Sequence, residues 1–317
     1  MIEILINLLA YAGIALMGLL VWAAFSPFET LGWWAGWFGD KIYTDNLPAD
    51  GQVRMVRPQA NSYLIFLSGV SCVSGATVSK REQGFLQRLA QTLPNTVVID
   101  DIFPYSVNNR ALTETPIFAH FWQWVYRRKL AGQLLLGYLI NVRNIWQVLM
   151  SADPRYGPLF NQATAKVILH TLLRYQYDPE SEQPLFVVGY SGAGQIAVGA
   201  VTYLRERMRA PIYVLSLGGV FGSDPGLLAA THLYHLYGSL DRAHKLGNID
   251  PGRWPFFPAS PWHCAQRQGL ISFIAMGPMG HTGAGGYLDG NRQLADGTSY
   301  IDHTVETVAT LVRLHTA

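Results

Sequence analysis

Charge is scarce in this 317-residue chain: Asp, Glu, Lys and Arg together make 14% of it, where a soluble globular domain carries about a quarter. The balance is also nearly even, with 23 basic against 21 acidic residues and a formal charge of +2. A protein that holds nucleic acid by neutralising phosphates needs a basic excess, so that class is excluded. Cysteine is scarcer still. Cys72 and Cys264 are too few for a disulfide framework or a Cys-rich zinc site, and they are compatible with a reducing compartment. Disorder is excluded as well, because half the chain is hydrophobic and disorder needs low hydrophobicity with high net charge. No repeat of fixed period is present, and no linker divides residues 60–317.

Part of the missing charge is accounted for at the N-terminus. No charged residue occurs from Ile4 to Phe28, and roughly 20 apolar residues suffice to cross about 30 Å of hydrocarbon as a helix. A cleavable signal peptide would need a basic start and a shorter apolar run; here the only early charge is Glu3. Residues 1–28 are therefore expected to be a transmembrane anchor. Residues 29–59 follow as an interfacial or linker segment, in which Trp33, Trp34, Trp37 and Phe38 fit either an aromatic belt at the bilayer surface or a patch packed on the globular domain. Lys41, Arg54 and Arg57 come after the span and no Lys or Arg before it, which puts the C-terminal domain on the cytoplasmic side of a single-pass membrane protein.

From residue 60 onward strand and helix patterns alternate, the signature of an α/β fold whose mostly parallel sheet is covered on both faces. Apolar runs predict strands at Tyr63–Leu67, Thr96–Ile99, Leu185–Val188, Ile212–Leu215, Leu233–Tyr237 and Ile271–Met276. Ser79 and Glu82 have the spacing of a capping box, ahead of a helical face made by Phe85, Leu89 and Leu93. Further helices are predicted at Ala165–Tyr175, Gln195–Met208 and Thr304–Leu314. Residues 107–158 are too long for a simple connection and predict two extra helices. They gather Phe118, Phe121, Trp122, Trp124 and Trp146 beside Arg127, Arg128 and Lys129. Such a segment reads either as a membrane-touching cap or lid over an apolar pocket, or as a helical insertion packed on the sheet.

The chemistry concentrates in the turn after Val188, which reads Gly189-Tyr190-Ser191-Gly192-Ala193-Gly194-Gln195. A phosphate-binding loop of the GxxxxGK[ST] type needs Lys where Gln195 stands, so it is rejected. A dinucleotide fingerprint needs an acidic residue about 20 positions on, and Ile212–Leu217 has none. A nucleophile elbow, GxSxG, fits best: it sets a strained serine between strand and helix with small neighbours two before and two after. Gly189 satisfies the first, and Ala193 is a small departure at the second.

A serine hydroxyl requires a base, and the base an orienting acid. Gly238-Ser-Leu-Asp241 turns off the end of the strand that closes at Tyr237, which makes Asp241 the candidate acid; Asp250, in the same loop, is the second choice. The final strand runs into Gly277-Pro-Met-Gly-His281, which makes His281 the candidate base. His303 precedes the last helix and is the alternative. With the order Ser, Asp, His on successive strand ends, residues 60–315 resemble the α/β-hydrolase superfamily of serine esterases and lipases. That resemblance implies an oxyanion hole from the backbone N–H of Gly192 and, from the loop Ser68-Gly69-Val70, the amide of Val70. Ser68 stands where many relatives have His.

Other candidates have plainer readings. His232 and His235, three apart in one strand, face opposite ways and cannot share a metal. His263 and Cys264 lack zinc spacing. Asp100 and Asp101 are loop hydrogen-bonding or substrate residues, Ser71 is a possible lining of the oxyanion loop, and Cys72 is expected to pack. The interval from Ser191 to Asp241 has room for a helix, a strand and a short helix but no large cap. The expectation is a membrane-anchored serine hydrolase for an ester or thioester of a lipophilic molecule, with membrane lipid as a neighbour and no metal or organic cofactor. The alternative is a catalytically inactive hydrolase-like subunit that binds or assembles with membrane-protein partners.

Overall fold

The computed structural model describes residues 2–35, 60–75, 78–114, 119–131 and 134–316. In chain order the elements are α1 (Ile2–Trp34), β1 (Ser62–Leu67), α2 (Lys80–Thr92), β2 (Thr96–Ile99), α3 (Ala119–Leu130), α4 (Leu134–Ala152), α5 (Gly157–Arg174), β3 (Leu185–Tyr190), α6 (Ala193–Arg205), β4 (Ile212–Leu217), α7 (Gly226–Ala229), β5 (His232–Tyr237), α8 (Pro261–Arg267), β6 (Ile271–Ala275) and α9 (Tyr300–Leu314). The six strands form one all-parallel sheet in the order β2-β1-β3-β4-β5-β6. Each expected strand is present.

Period-2 alternation along the strands feeds two cores. Leu64, Phe66, Val188 and Leu215 pack under α2 and α9 with Phe85, Leu89 and Val308. Ile65, Leu67, Val187 and Val214 pack on the other face with Phe160, Ile168 and Ile196 of α5 and α6. Side chains such as Phe66 and Phe186 are fully buried, each stabilising the fold by roughly 1.5–3 kcal/mol. The capping box is formed: Ser79 accepts from the Glu82 N–H, and the Glu82 carboxylate accepts from the Ser79 N–H at 2.8 Å.

Three helices begin earlier than the apolar pattern indicates, α6 by two residues and α5 and α9 by more. α5 starts at Gly157, with proline in its first turn, and two of its early buried positions, Asn161 and Thr164, are polar, which interrupts the apolar pattern there. Asn161 is bonded to Ser151, and Thr164 to the Phe160 carbonyl. α9 starts at Tyr300 because Ser299 caps it, accepting from the Asp302 N–H. The interval between Ser191 and Asp241 holds α6, β4, the four-residue α7 and β5, leaving no room for a cap.

Residues 107–158 contain the two expected helices, α3 and α4. Trp122 is buried, Phe121 and Trp124 are exposed, and the Arg128 guanidinium lies 5.7 Å over the Trp124 ring. Phe118 lies outside the described residues. At the N-terminus a single helix, α1, continues past Phe28 to Trp34 and rests on α4 and α5. Most of its described apolar side chains, among them Ile4, Leu8, Tyr11 and Ile14, are exposed. Its side chains are described without a break only over residues 3–15. Among the described residues no helix is long and apolar enough to cross a membrane. Trp37, Phe38, Lys41, Arg54 and Arg57 lie outside the described residues, as does most of the linker expected at 29–59.

The sheet order places the site. The chain adds β2 on one side of β1 and then returns to add β3 on the other. The C-terminal ends of β1 and β3 thus lie side by side at the switch point, the position at which open α/β sheets bind ligands. The loops that leave them carry Ser68-Gly69-Val70 and Ser191.

Candidate active site

Ser191 follows directly on β3 with a φ of +56°, the left-handed region that disfavours any residue with a Cβ. Local hydrogen bonds enforce it. The Ser191 N–H donates to the Leu217 carbonyl, and the Ser191 carbonyl accepts from Gly194 and Val220, each at 3.0 Å. Neighbouring glycines allow the close passage. A Cβ on Gly189 would lie 2.7 Å from the Ala193 carbonyl oxygen and 2.8 Å from the Gly194 Cα. A Cβ on Gly194 would lie 2.9 Å from the Gly219 Cα. The second tight approach thus falls at Gly194, three after the serine, while Ala193, two after it, is fully buried.

The structure brings the three chemistry-bearing side chains into one hydrogen-bonded chain. Ser191 Oγ is 2.7 Å from His281 Nε2, and His281 Nδ1 is 2.9 Å from Asp241 Oδ2. His281 reaches in from the loop after β6, and Asp241 from the turn after β5. The Asp241 side chain is wholly buried, whereas that of His281 is 20% exposed. Burial alone would raise the Asp241 pKa, but hydrogen bonds from His281 and Tyr287, together with the Ala243 N–H, bring it below the usual carboxylate value. An ionised acid oriented this way keeps the imidazole proton on Nδ1 and leaves Nε2 free to take the serine proton.

Two tyrosines complete this chain. Tyr287, fully buried, donates to Asp241 Oδ2 at 2.7 Å and accepts from the Gly238 N–H at 2.8 Å. Burial, and then its bond to the carboxylate, push its own pKa up, so it stays a donor. Tyr190 donates to the His281 carbonyl at 2.9 Å, fixing the backbone of the base.

The β1 loop closes over the serine from the other side. A Cβ on Gly69 would be 3.5 Å from Ser191 Cβ, and one on Gly192 would be 2.7 Å from Val70 Cγ1. Among the described residues the N–H groups of Gly192 and Val70 have no acceptor, which leaves both for a developing oxyanion. Ser68, which stands at the head of this loop, donates to the buried Glu82 at 2.5 Å, and its carbonyl accepts from Tyr105 at 2.9 Å.

The remaining candidates sit elsewhere. His303 lies in the first turn of α9, outside the chain that holds Ser191. Asp250 caps a short 3₁₀ turn, accepting from the Gly252 and Ser223 N–H groups. Asp101 is engaged with Arg174 and Tyr175. The Ser71 carbonyl accepts from Lys129 at 2.7 Å. Burial pushes the Cys72 thiol up to about 11, the opposite of an activated nucleophile. His232 bonds Ser272 at 2.8 Å, while His235 bonds Ser216 and His244, so the two do face apart. Burial, chiefly, holds His235 neutral with a pKa of about 3. Among the described residues no cluster of three His, Cys, Asp or Glu side chains is placed to hold a metal ion. A shallow cleft between α5 and α6, lined by Lys166, Tyr203 and Arg207, adjoins the far end of the helix that starts at the serine.

No protein-family model matches this chain, and a search of curated proteins finds no match to it.

Proposed function

We propose that this chain is a serine hydrolase of α/β-hydrolase architecture that cleaves an ester or thioester of a lipophilic molecule while held at a membrane by its N-terminal segment. One observation carries the reading: a serine at positive φ, hydrogen-bonded to a histidine that is bonded to a buried carboxylate, beside two amides that have no acceptor among the described residues. Ser191 Oγ attacks the carbonyl carbon as its proton passes to His281 Nε2. The tetrahedral oxyanion is met by the N–H groups of Gly192 and Val70. Collapse breaks the bond to the leaving oxygen or sulfur, which takes the proton from His281. Water, deprotonated by His281, then attacks the acyl-serine, releasing the carboxylic acid and restoring the hydroxyl.

The membrane part rests on the charge-free stretch from Ile4 to Phe28 and the exposed apolar side chains of α1. Exposed Phe121, Trp124 and Leu130, beside Arg127 and Arg128, favour a lipophilic substrate. The basic residues after this charge-free stretch favour a cytoplasmic catalytic domain.

A series of p-nitrophenyl esters from acetate to decanoate tests this on the full chain in detergent. Turnover is expected to rise with acyl length and to vanish in Ser191→Ala. Absence of turnover on every ester by folded native protein would favour a hydrolase-like binding subunit instead.

A further inference from the structure

We propose that Asn144, on α4, is the positioning residue that aims the Val70 amide at the oxyanion, so that the inserted helix backs the oxyanion hole. This rests on the hydrolase reading of the same site. The loop after β1 is a four-residue turn, closed by the Cys72 N–H on the Gly69 carbonyl at 3.1 Å. In a planar trans peptide the C=O and N–H point opposite ways. With the Gly69 carbonyl drawn into the turn, the Val70 N–H is directed out of it, on a loop that lies against Ser191 and Gly192.

The Cys72–Gly69 hydrogen bond sets the shape of the turn; its tilt relative to the serine is set by contacts from outside it. Asn144 supplies that constraint. Its side chain is fully buried, and its Nδ2 donates to the carbonyls of both Val70 and Cys72 at 2.8 Å. Its Oδ1 accepts from Arg143 at 3.2 Å, which leaves Nδ2 as the only atom that can face the two carbonyls. One turn of helix further on, Val148 reaches the other donor: a Cβ on Gly192 would lie 2.9 Å from Val148 Cγ2. Residues i and i+4 share a helix face, so one face of α4 touches both residues whose amides form the hole. Lys129 and Tyr105 hold the flanking carbonyls of Ser71 and Ser68. Asn144 is the neutral side chain that binds the turn twice.

The test is a double-mutant cycle read with p-nitrophenyl octanoate on the full chain in detergent. Val70→Pro deletes the amide itself while suiting the second position of a β-turn, and Val70 is not among the residues with positive φ. It is expected to lower kcat by about 10²–10³. Asn144→Ala should lower kcat by about 10–10², with KM unchanged within about twofold, since misaiming a donor costs less than losing it. The double variant should be no slower than Val70→Pro alone, an outcome that a merely structural role would not produce. Asn144→Ser, which keeps one donor, is expected to fall between native and alanine and serves if the alanine variant does not fold. Native kcat in the Asn144 variants, or a full additive loss in the double variant, would overturn the proposal while leaving the hydrolase reading in place. Native protein without turnover, or turnover surviving in Ser191→Ala, would instead sink the hydrolase reading and the proposal with it.

Discussion

Ser191→Gly is expected to abolish turnover, by on the order of 10⁵–10⁶, and yet to melt higher than Ser191→Ala. Both variants lose the Oγ that bonds His281 at 2.7 Å, so the loss of that hydrogen bond is common to them. They differ in the backbone. Alanine keeps a Cβ at φ +56°, where an L-residue costs about 1–2 kcal/mol that glycine does not. Glycine gives part of this back through its freer unfolded chain. A net difference of about 1 kcal/mol should remain, or about 2–4 °C in melting temperature for a domain of this size. Calorimetry of the two inactive proteins side by side measures it. Alanine melting at or above glycine would mean that the turn holds no strain at the serine, and the elbow account would lose its physical basis.

Asp241→Asn is expected to lower kcat by about 10⁴ with little change in KM. The size follows from tautomer control in a Ser-His-Asp arrangement. One carboxylate oxygen, Oδ1, accepts from the backbone N–H groups of Ala243 and His244. The other, Oδ2, accepts from His281 Nδ1 and Tyr287. In the asparagine variant two backbone donors hold the amide oxygen in the Oδ1 position, which turns the NH₂ toward His281. The imidazole must then accept on Nδ1 and carry its proton on Nε2, where it cannot take the proton of Ser191. Steady-state kinetics on a p-nitrophenyl ester measures the effect. A loss below about tenfold would remove Asp241 from the role assigned to it.

Strand–helix alternation was readable along the sequence because buried parallel strands are short apolar runs, and Leu185–Tyr190 and Ile212–Leu217 stand out against their surroundings. Ser191, Asp241 and His281 were readable for a related reason: each sits where an apolar run stops and a glycine-bearing turn begins. What escaped was polar burial. Asn161 and Thr164 open α5 without apolar periodicity because their partners, Ser151 and a backbone carbonyl, are met only when the helices pack. The same holds around the site. Tyr287 is 46 residues from Asp241 and Asn144 is 74 from Val70. Glu82 advertises itself as a helix cap while its second oxygen holds Ser68. No local pattern signals such pairs. They exist only once the sheet has brought the ends of β1, β3, β5 and β6 together.

The insertion at 107–158 shows how one helix can face two ways. Its sequence reads as a cap or as packing, and α4 turns Asn144 and Val148 toward the β1 loop while leaving Tyr138, Ile145 and Leu149 exposed. Its inward face is polar where it meets carbonyls and apolar where it meets Gly192.

The central claim is that Ser191 is a nucleophile activated by His281. It is tested most directly by treating the purified full chain with a fluorophosphonate and measuring the intact mass, followed by peptide mapping. The account predicts one phosphonyl adduct per chain, located on Ser191, and none on folded Ser191→Ala. Folded native protein that stays unmodified, or an adduct that persists on the alanine variant, would contradict it.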